Sequence, residues 1–172
     1  TCSGVSAAAA DSLAQGAGSA TRHSSMRNGA VVDSGPLIAL FDRDDDFHKA
    51  VVDFLNTHRR LRLVTTWAVV NEASALLGSR VGKQAEIDLL TWVERGGLAL
   101  AAQDSTALSR IRALIEKYRD LPFDFADASL AVLAEQAGIS QILTLDRDFE
   151  IYRDARGRRL KNLLTARPTR SR

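Results

Sequence analysis

Short apolar runs alternate with segments of helical periodicity along this chain, and this alternation limits the possible folds more than any other feature. Strands are predicted at 30–33, 61–65, 98–101, 141–145 and 160–164. Helices are predicted at 47–58, 67–77, 83–94, 104–118 and 124–137, with another beginning near Pro36. Apolar strands separated by helices favour a parallel sheet covered on both faces. We therefore predict an α/β fold in which a central parallel sheet is sandwiched by helices.

The composition is that of one globular domain. The chain has 172 residues, 45% of them hydrophobic. Residues 26–165 are expected to form the domain, residues 1–25 a flexible leader or a remnant of expression or upstream read-through, and residues 166–172 a basic tail. Cys2 is the single cysteine, which excludes a disulfide framework and a cysteine-built zinc site. No run of about 20 apolar residues occurs, so we expect no membrane span and a cytoplasmic protein.

The net charge of +2 hides an uneven distribution. Residues 153–172 carry seven Arg and one Lys against Asp154, a net charge of +7. The charges of residues 1–25 cancel, so residues 26–152 carry −5. An acidic body with a basic end fits a polyanionic ligand, although a solvated terminal tail explains the same charges equally well.

Four acids occupy positions that seldom hold a lone charge. Asp33 and Asp146 follow the first and fourth predicted strands, and Glu72 and Asp127 interrupt apolar helical faces. Singly, each could be a helix cap, a first-turn acid, a turn residue or a surface side chain. Together they fit one arrangement, because ligands of parallel sheets bind beyond the carboxyl ends of the strands. Four carboxylates at one place would need a hard divalent cation such as Mg²⁺ or Mn²⁺.

Other conspicuous side chains have plainer interpretations. The consecutive acids of 44–46 point in different directions, so we interpret them as a solvated loop and helix cap. His48 is expected at the surface rather than as a metal ligand. Trp67 and Trp92 have core-like spacing, and we expect both to be packing residues.

Four segments together resemble the PIN-domain family, and more narrowly the VapC-type toxin ribonucleases. They are Val31–Ile38, Asn71–Ala73, Pro122–Leu130 and Ile142–Phe149, and the resemblance spans about residues 29–165. It implies a three-layer α/β/α fold and RNA cleavage dependent on Mg²⁺ or Mn²⁺. It also implies a homodimer and a small antitoxin partner. The leader and the Arg-rich end depart from the usual family pattern.

The resemblance also assigns residues to roles. Asp33, Glu72, Asp127 and Asp146 match the family's acidic quartet, Asp124 an additional acid of some members, and Ser34 and Thr144 hydroxyl positions near the metal. The leading hypothesis is hydrolysis by water, with the quartet holding the metal and no Ser, Cys or His nucleophile. Candidate phosphate contacts are the basic side chains Arg110, Arg112, Lys117, Arg119, Arg158 and Arg159.

Two alternatives stay open at the level of sequence. A receiver-like phosphoryl-transfer domain also uses acids at strand ends, but no suitably placed Lys follows a later strand, and no glycine-rich phosphate loop follows Asp33. A non-catalytic module could instead use the same acids to dock an Arg-bearing peptide.

Overall fold

The computed structural model describes residues 29–164, and the strands in this range form one five-stranded parallel sheet. The strands are β1 (Gly29–Val32), β2 (Arg62–Thr65), β3 (Ala99–Leu100), β4 (Gln141–Leu143) and β5 (Lys161–Asn162). Their order across the sheet is β3-β2-β1-β4-β5, and every neighbouring pair is parallel. The chain moves outward in one direction from β1 to β3 and in the other from β4 to β5. The switch point between β1 and β4 is where such sheets bind ligands.

Six α-helices in the same range cover the sheet. They are α1 (Ser34–Phe41), α2 (His48–Thr57), α3 (Trp67–Arg80), α4 (Lys83–Glu94), α5 (Leu108–Lys117) and α6 (Phe125–Ala137). Short 3-10 turns occupy Ser105–Ala107 and Asp148–Glu150. The predicted α/β class, with a central parallel sheet between helical layers, is confirmed.

The boundaries differ from the predicted ones mainly at strand ends. The predicted strand at 141–145 ends at Leu143, because the chain then bends and the Thr144 hydroxyl accepts the Asp146 amide at 2.9 Å. The outer strands β3 and β5 have two residues each, fewer than predicted. The first helix begins at Ser34 rather than at Pro36, with Asp33 as its N-cap.

The core is built around the central strand. All four residues of β1 are buried, as expected for an apolar run covered on both faces. Helix α6 is buried at every position from Ala128 to Ala134, and its alanines let it approach β1 closely. Asp33 directly follows β1 and Asp124 directly precedes α6, so both are attached to buried elements of the core.

The two tryptophans have different environments. Trp92 is 2% exposed and meets the Phe41 ring edge-on, with centroids 5.8 Å apart, so its prediction as a packing residue is confirmed. Trp67 is 65% exposed, and its prediction as a packing residue was wrong. It is the first residue of α3 and shares a helix side with Asn71, which is also exposed.

The remaining expectations concern loops and termini. Asp45 accepts the Phe47 amide at 2.7 Å within the loop, but the N-cap of α2 is Phe47 and no side chain caps this helix, so the predicted cap at 44–46 was wrong. His48 is half-buried, with Nδ1 2.7 Å from the Ala39 carbonyl oxygen. The predicted leader (1–25) and basic tail (166–172) lie outside the described residues. Within 29–164, no helix has the length and apolarity needed to cross a bilayer.

Candidate metal centre at the carboxyl edge of the sheet

Asp33 lies at the switch point, with its carboxylate between the ends of β1 and β4. Its backbone amide donates to the Leu143 carbonyl at 3.0 Å, which extends the pairing of the two strands by one residue. Oδ1 accepts the Ser34 amide at 2.7 Å, and Oδ2 accepts the Thr144 hydroxyl at 2.7 Å. The residue is 5% exposed. Asp33 is therefore the N-cap of α1 and is also bonded to β4. Its role as a helix cap does not exclude a role in a binding site at this position.

Thr144 joins Asp33 to Asp146. Its hydroxyl donates to Asp33 and accepts the Asp146 amide at 2.9 Å. Thr144 itself is held by Asn162 of β5, whose side-chain amide donates to the Thr144 carbonyl at 2.9 Å. Asn162 Oδ1 in turn accepts the Leu164 amide at 3.0 Å. Sequence reasoning missed Asn162, although a carboxamide within the predicted apolar strand 160–164 was a visible signal.

Glu72 reaches the same edge from helix α3. This helix starts directly after β2, where Thr66 is the N-cap and its hydroxyl accepts the Val69 amide at 3.4 Å. Glu72 lies one and a half turns further on and is half-buried. The Ser34 hydroxyl is near the Glu72 carboxylate and lowers its pKa, in opposition to burial. Because Ser34 directly follows Asp33, Glu72 lies near the end of β1.

Asp124 and Asp127 form the start of helix α6. Asp124 accepts the amides of Ala126 and Asp127 at 2.8 and 3.1 Å, and Asp127 Oδ2 accepts the Asp124 amide at 3.0 Å. This reciprocal capping box fixes both carboxylates. Asp127 is half-buried and Asp124 is exposed.

A buried hydroxyl pair connects the helices that carry Glu72 and Asp127. The Thr66 and Ser129 hydroxyl oxygens are 2.8 Å apart, and both residues are at most 1% exposed. The Ser129 hydroxyl donates to the Ala126 carbonyl at 2.8 Å, so the donor of the pair is Thr66. Sequence reasoning missed this pair, because nothing in the chain marks two hydroxyls 63 residues apart as neighbours.

The electrostatics of these side chains show that they share one environment. The pKa of Asp33 is raised from 3.8 to about 6, mainly by burial, while hydrogen bonds from Thr144 and Ser34 lower it and the charges of Glu72 and Asp146 add to the rise. Burial raises the pKa of Asp127 to about 7, with contributions from Asp33, Asp124 and Asp146. We call these five residues the acidic group: Asp33, Glu72, Asp124, Asp127 and Asp146.

The pKa of Glu72 is also raised. Burial is the main cause, the charge of Asp124 adds to the rise, and the Ser34 hydroxyl lowers the pKa. The groups that lower the pKa of Asp33 are a hydroxyl and an amide, neither of which carries a charge. Negative charge is therefore concentrated at the ends of β1 and β4, and the groups that donate hydrogen bonds to Asp33 are uncharged.

The donor chemistry of the acidic group fits a hard divalent cation. Its oxygens are carboxylates, with the hydroxyls of Ser34 and Thr144 beside them, and such oxygen ligands suit Mg²⁺ or Mn²⁺. Among the described residues, however, no three His, Cys, Asp or Glu side chains are already arranged to hold one ion. The charges nevertheless act at one place, since those of Glu72 and Asp146 help to raise the pKa of Asp33, and those of Asp33, Asp124 and Asp146 help to raise that of Asp127.

The predicted phosphate-binding cations fall into two groups. Arg110 donates to both Glu135 oxygens at 3.0 and 2.8 Å, and Arg158 donates to Asp154 at 2.8 Å, so these guanidinium groups already have carboxylate partners. The other candidates are exposed: Arg112, Lys117, Arg119 and Arg159.

Three comparisons agree with this geometry. A model of the PIN domain family matches residues 30–155. The curated protein Ribonuclease VapC26 of Mycobacterium tuberculosis is 32% identical over 117 residues, which cover 68% of this chain and 86% of that protein. The crystal structure of Mycobacterium tuberculosis VapC20, described as a toxin that cleaves the sarcin-ricin loop, has a TM-score of 0.65 at 18% identity. That match covers 71% of this chain and 93% of VapC20, and at this identity it bears on the fold alone.

Proposed function

This chain belongs to the PIN domain family, and we propose that it is an endoribonuclease of the VapC toxin type that uses Mg²⁺ or Mn²⁺. The relative with 32% identity is a ribonuclease, and its similarity extends over two thirds of the chain. The reaction is hydrolysis of a phosphodiester bond in RNA, leaving 5′-phosphate and 3′-hydroxyl ends.

One observation carries the proposal. Asp33 is buried at the switch point of a parallel sheet, and the charges that act on it come from Glu72 and Asp146, which lie on other elements of the fold. Burial of a carboxylate among other carboxylates destabilises a fold, so such a group indicates a functional site. Binding of a divalent cation is the function that fits its oxygen donors.

Each residue of the acidic group has a distinct role in this proposal. Asp33, Asp127 and Asp146 would hold the ion directly or through water, and Glu72 would ligate it or orient a water molecule. A bound divalent ion supplies an acidified water and stabilises negative charge on the phosphate. Asp124 supports Asp127 through the capping box.

Hydrogen bonds set the geometry of the Asp33 carboxylate. The Thr144 hydroxyl donates to one of its oxygens, and the Ser34 amide donates to the other. Restraint of this kind matters because a metal site depends on outer partners that orient its ligands. No Ser, Cys or His nucleophile is needed.

The partners follow from the family. RNA is the substrate and a small antitoxin is the inhibitory partner, with an Arg-bearing segment as a suitable occupant of the acidic edge. A homodimer and a cytoplasmic location are the arrangements we expect for such a toxin. The family match gives no support to the receiver-like alternative.

The test is RNA cleavage by the purified chain with and without EDTA. Cleavage should stop in EDTA and return with excess Mg²⁺ or Mn²⁺. Asp33→Asn should lower cleavage by more than the roughly 10–100-fold that is typical of a lost outer partner. Asp53→Asn is the matched control, because Asp53 is exposed and pairs with Lys49 on α2.

Metal binding is measured separately by calorimetric titration with Mn²⁺. Asp33→Asn should weaken binding while its circular dichroism spectrum stays that of the wild type. Wild-type protein that binds Mn²⁺ but cleaves no RNA, including structured ribosomal and transfer RNA, would favour the non-catalytic docking module instead.

A further inference from the structure

The edge of the sheet opposite the acidic group carries a concentration of basic side chains. Parallel strands all begin at the same edge, so the first residues of β2 and β5, Arg62 and Lys161, lie together there. The loops that lead into these two strands add more cations. We call this surface the basic edge, and it consists of Arg59, Arg60, Arg62, Arg158, Arg159 and Lys161.

An open groove runs along part of the basic edge. Residues 56–61 and Gln141 line a volume of about 570 Å³. The loop that carries its cations is ordered by local contacts, since Arg59 donates to the Asn56 carbonyl at 3.3 Å and the His58 ring stacks on Phe54 with centroids 4.2 Å apart. A smaller recess of about 90 Å³ lies beside it and is lined in part by Ser140, Arg158 and Arg159. Ser140 and Gln141 are consecutive, so the two depressions adjoin.

The two segments that form the basic edge are rich in basic residues. Residues 56–62 and 158–161 contain no acid in their sequence, and Arg158 pairs with Asp154. The acidic segment 42–46 precedes α2, whose ten residues separate it from His58 by about 15 Å. On helix α5 and in the turn that follows it, by contrast, basic residues alternate with Glu116 and Asp120. A polyanion is therefore attracted more strongly to the basic edge than to α5.

We propose that the basic edge is a second RNA-binding surface, which holds the phosphate backbone of the substrate several nucleotides away from the scissile bond. This inference rests on the proposed ribonuclease function. Arg62 and Lys161 stand on strands separated by β1 and β4, about 14 Å apart across the sheet. Cations spread over that width match a chain of phosphates rather than a single anion.

The basic edge lies at the opposite end of the strands from the acidic group. Acids surround the reaction centre, so they repel RNA there. From Gly29 to Asp33 the chain runs about 13 Å between the two edges. Attraction at the far edge holds the substrate away from the repulsion of these carboxylates. Leu61 is the apolar residue among the seven that line the groove.

The test compares two pairs of substitutions with the same loss of charge. One variant is Arg59→Gln with Arg60→Gln, and the control is Arg80→Gln with Lys83→Gln in the exposed turn between α3 and α4. Binding of a fluorescent 20-nucleotide RNA is measured by anisotropy in EDTA over a range of salt concentrations. The first variant should bind roughly tenfold more weakly at 50 mM salt, with a salt slope lower by about one unit, while the control matches the wild type.

A second measurement separates this surface from the reaction centre. Cleavage of a 20-nucleotide RNA with Mg²⁺ should fall in the Arg59/Arg60 variant, whereas cleavage of a four-nucleotide RNA should stay at the wild-type rate. Lys161→Gln, on a different element, should lower the salt slope in the same direction. Failure of the wild type to cleave RNA would count against the proposed function, whereas the binding slopes alone judge the basic edge.

Two outcomes would overturn the inference. One is an unchanged salt slope in the folded Arg59/Arg60 variant. The other is an unchanged slope for RNA together with lost binding of a polyglutamate probe, which would make an acidic protein segment the partner of this surface.

Discussion

The Thr144 hydroxyl donates a 2.7 Å hydrogen bond to Oδ2 of Asp33, which lies 111 residues earlier in the chain. The same hydroxyl accepts the Asp146 amide at 2.9 Å. One buried oxygen atom therefore contacts the carboxylate of Asp33 and the backbone of Asp146, which lie just beyond the ends of neighbouring strands. This relationship places Thr144 at the structural centre of the acidic group.

Replacing Thr144 by Val should lower RNA cleavage by roughly 10–100-fold, because Asp33 loses the donor that orients it. The isosteric methyl group keeps the packing, so the circular dichroism spectrum should not change. Thr144→Ser is the matched control, since it retains the hydroxyl, and it should keep most of the activity. A loss in Thr144→Ser as large as that in Thr144→Val would show that the hydroxyl by itself does not maintain the activity.

Ser129→Ala should reduce the free energy of unfolding by about 1–2 kcal/mol, because the buried Thr66 hydroxyl loses its acceptor. Cleavage should also fall, since the pair links the helices that carry Glu72 and Asp127. The measurement is urea denaturation together with the rate of cleavage.

The control for this variant is another buried serine. Ser74 is 8% exposed, and its Oγ has no hydrogen-bond partner among the described residues. Ser74→Ala should therefore leave the free energy of unfolding unchanged or raise it. A similar loss in both variants would mean that the Thr66 contact contributes nothing specific.

Asn162→Ala should act on the reaction through Thr144. Its side-chain amide donates to the Thr144 carbonyl at 2.9 Å, and its Oδ1 accepts the Leu164 amide at 3.0 Å. Loss of these bonds should destabilise the protein by about 1–3 kcal/mol and weaken Mn²⁺ binding. Asn71→Ala, an exposed position on α3, should change neither quantity. Wild-type Mn²⁺ affinity in Asn162→Ala would confine its role to stability.

The stability of the metal-free protein should depend on the titration of Asp33. Its pKa is raised from 3.8 to about 6, so the folded protein binds the proton more tightly than the unfolded chain does. The contribution of this group to stability is therefore greatest below pH 4 and is lost as the pH rises toward 6 and above. The loss is on the order of 3 kcal/mol.

Urea denaturation of wild type and Asp33→Asn in EDTA checks this sign. The substitution should stabilise the protein more at pH 7.5 than at pH 4.5, because only the ionised carboxylate is penalised by burial. Asn71→Ala, at an exposed position without an ionisable side chain, is the control for the pH series. A constant difference for Asp33→Asn would mean that the pKa of Asp33 is the same in the folded protein and the unfolded chain.

Metal binding should reverse the effect of pH. Protons compete with Mn²⁺ for Asp33 and for Asp127, whose pKa is about 7. The affinity for Mn²⁺ should therefore increase from pH 5.5 to pH 8, and binding should release protons. Titrations in two buffers with different ionisation enthalpies measure that release.

The sequence alone determined the fold class and the candidate acids. Short apolar runs predict buried strands, and the segments between them predict amphipathic helices. Few folds other than a parallel sheet between helical layers accommodate this order. Asp33, Glu72, Asp127 and Asp146 were visible because a charge within an apolar pattern stands out in one dimension. The prediction that Trp67 is a packing residue was wrong, because the periodicity of apolar residues does not show whether another element covers the first turn of a helix.

Only the tertiary structure decided which polar groups support those acids and where the cations lie. The bonds from Thr144 to Asp33, from Asn162 to Thr144 and between Thr66 and Ser129 join residues 18 to 111 positions apart. Hydrogen bonds have a reach of about 3 Å, so their partners depend on strand order and helix packing rather than on neighbours in sequence. The same packing paired Arg110 with Glu135 and assembled the basic edge from two separate loops.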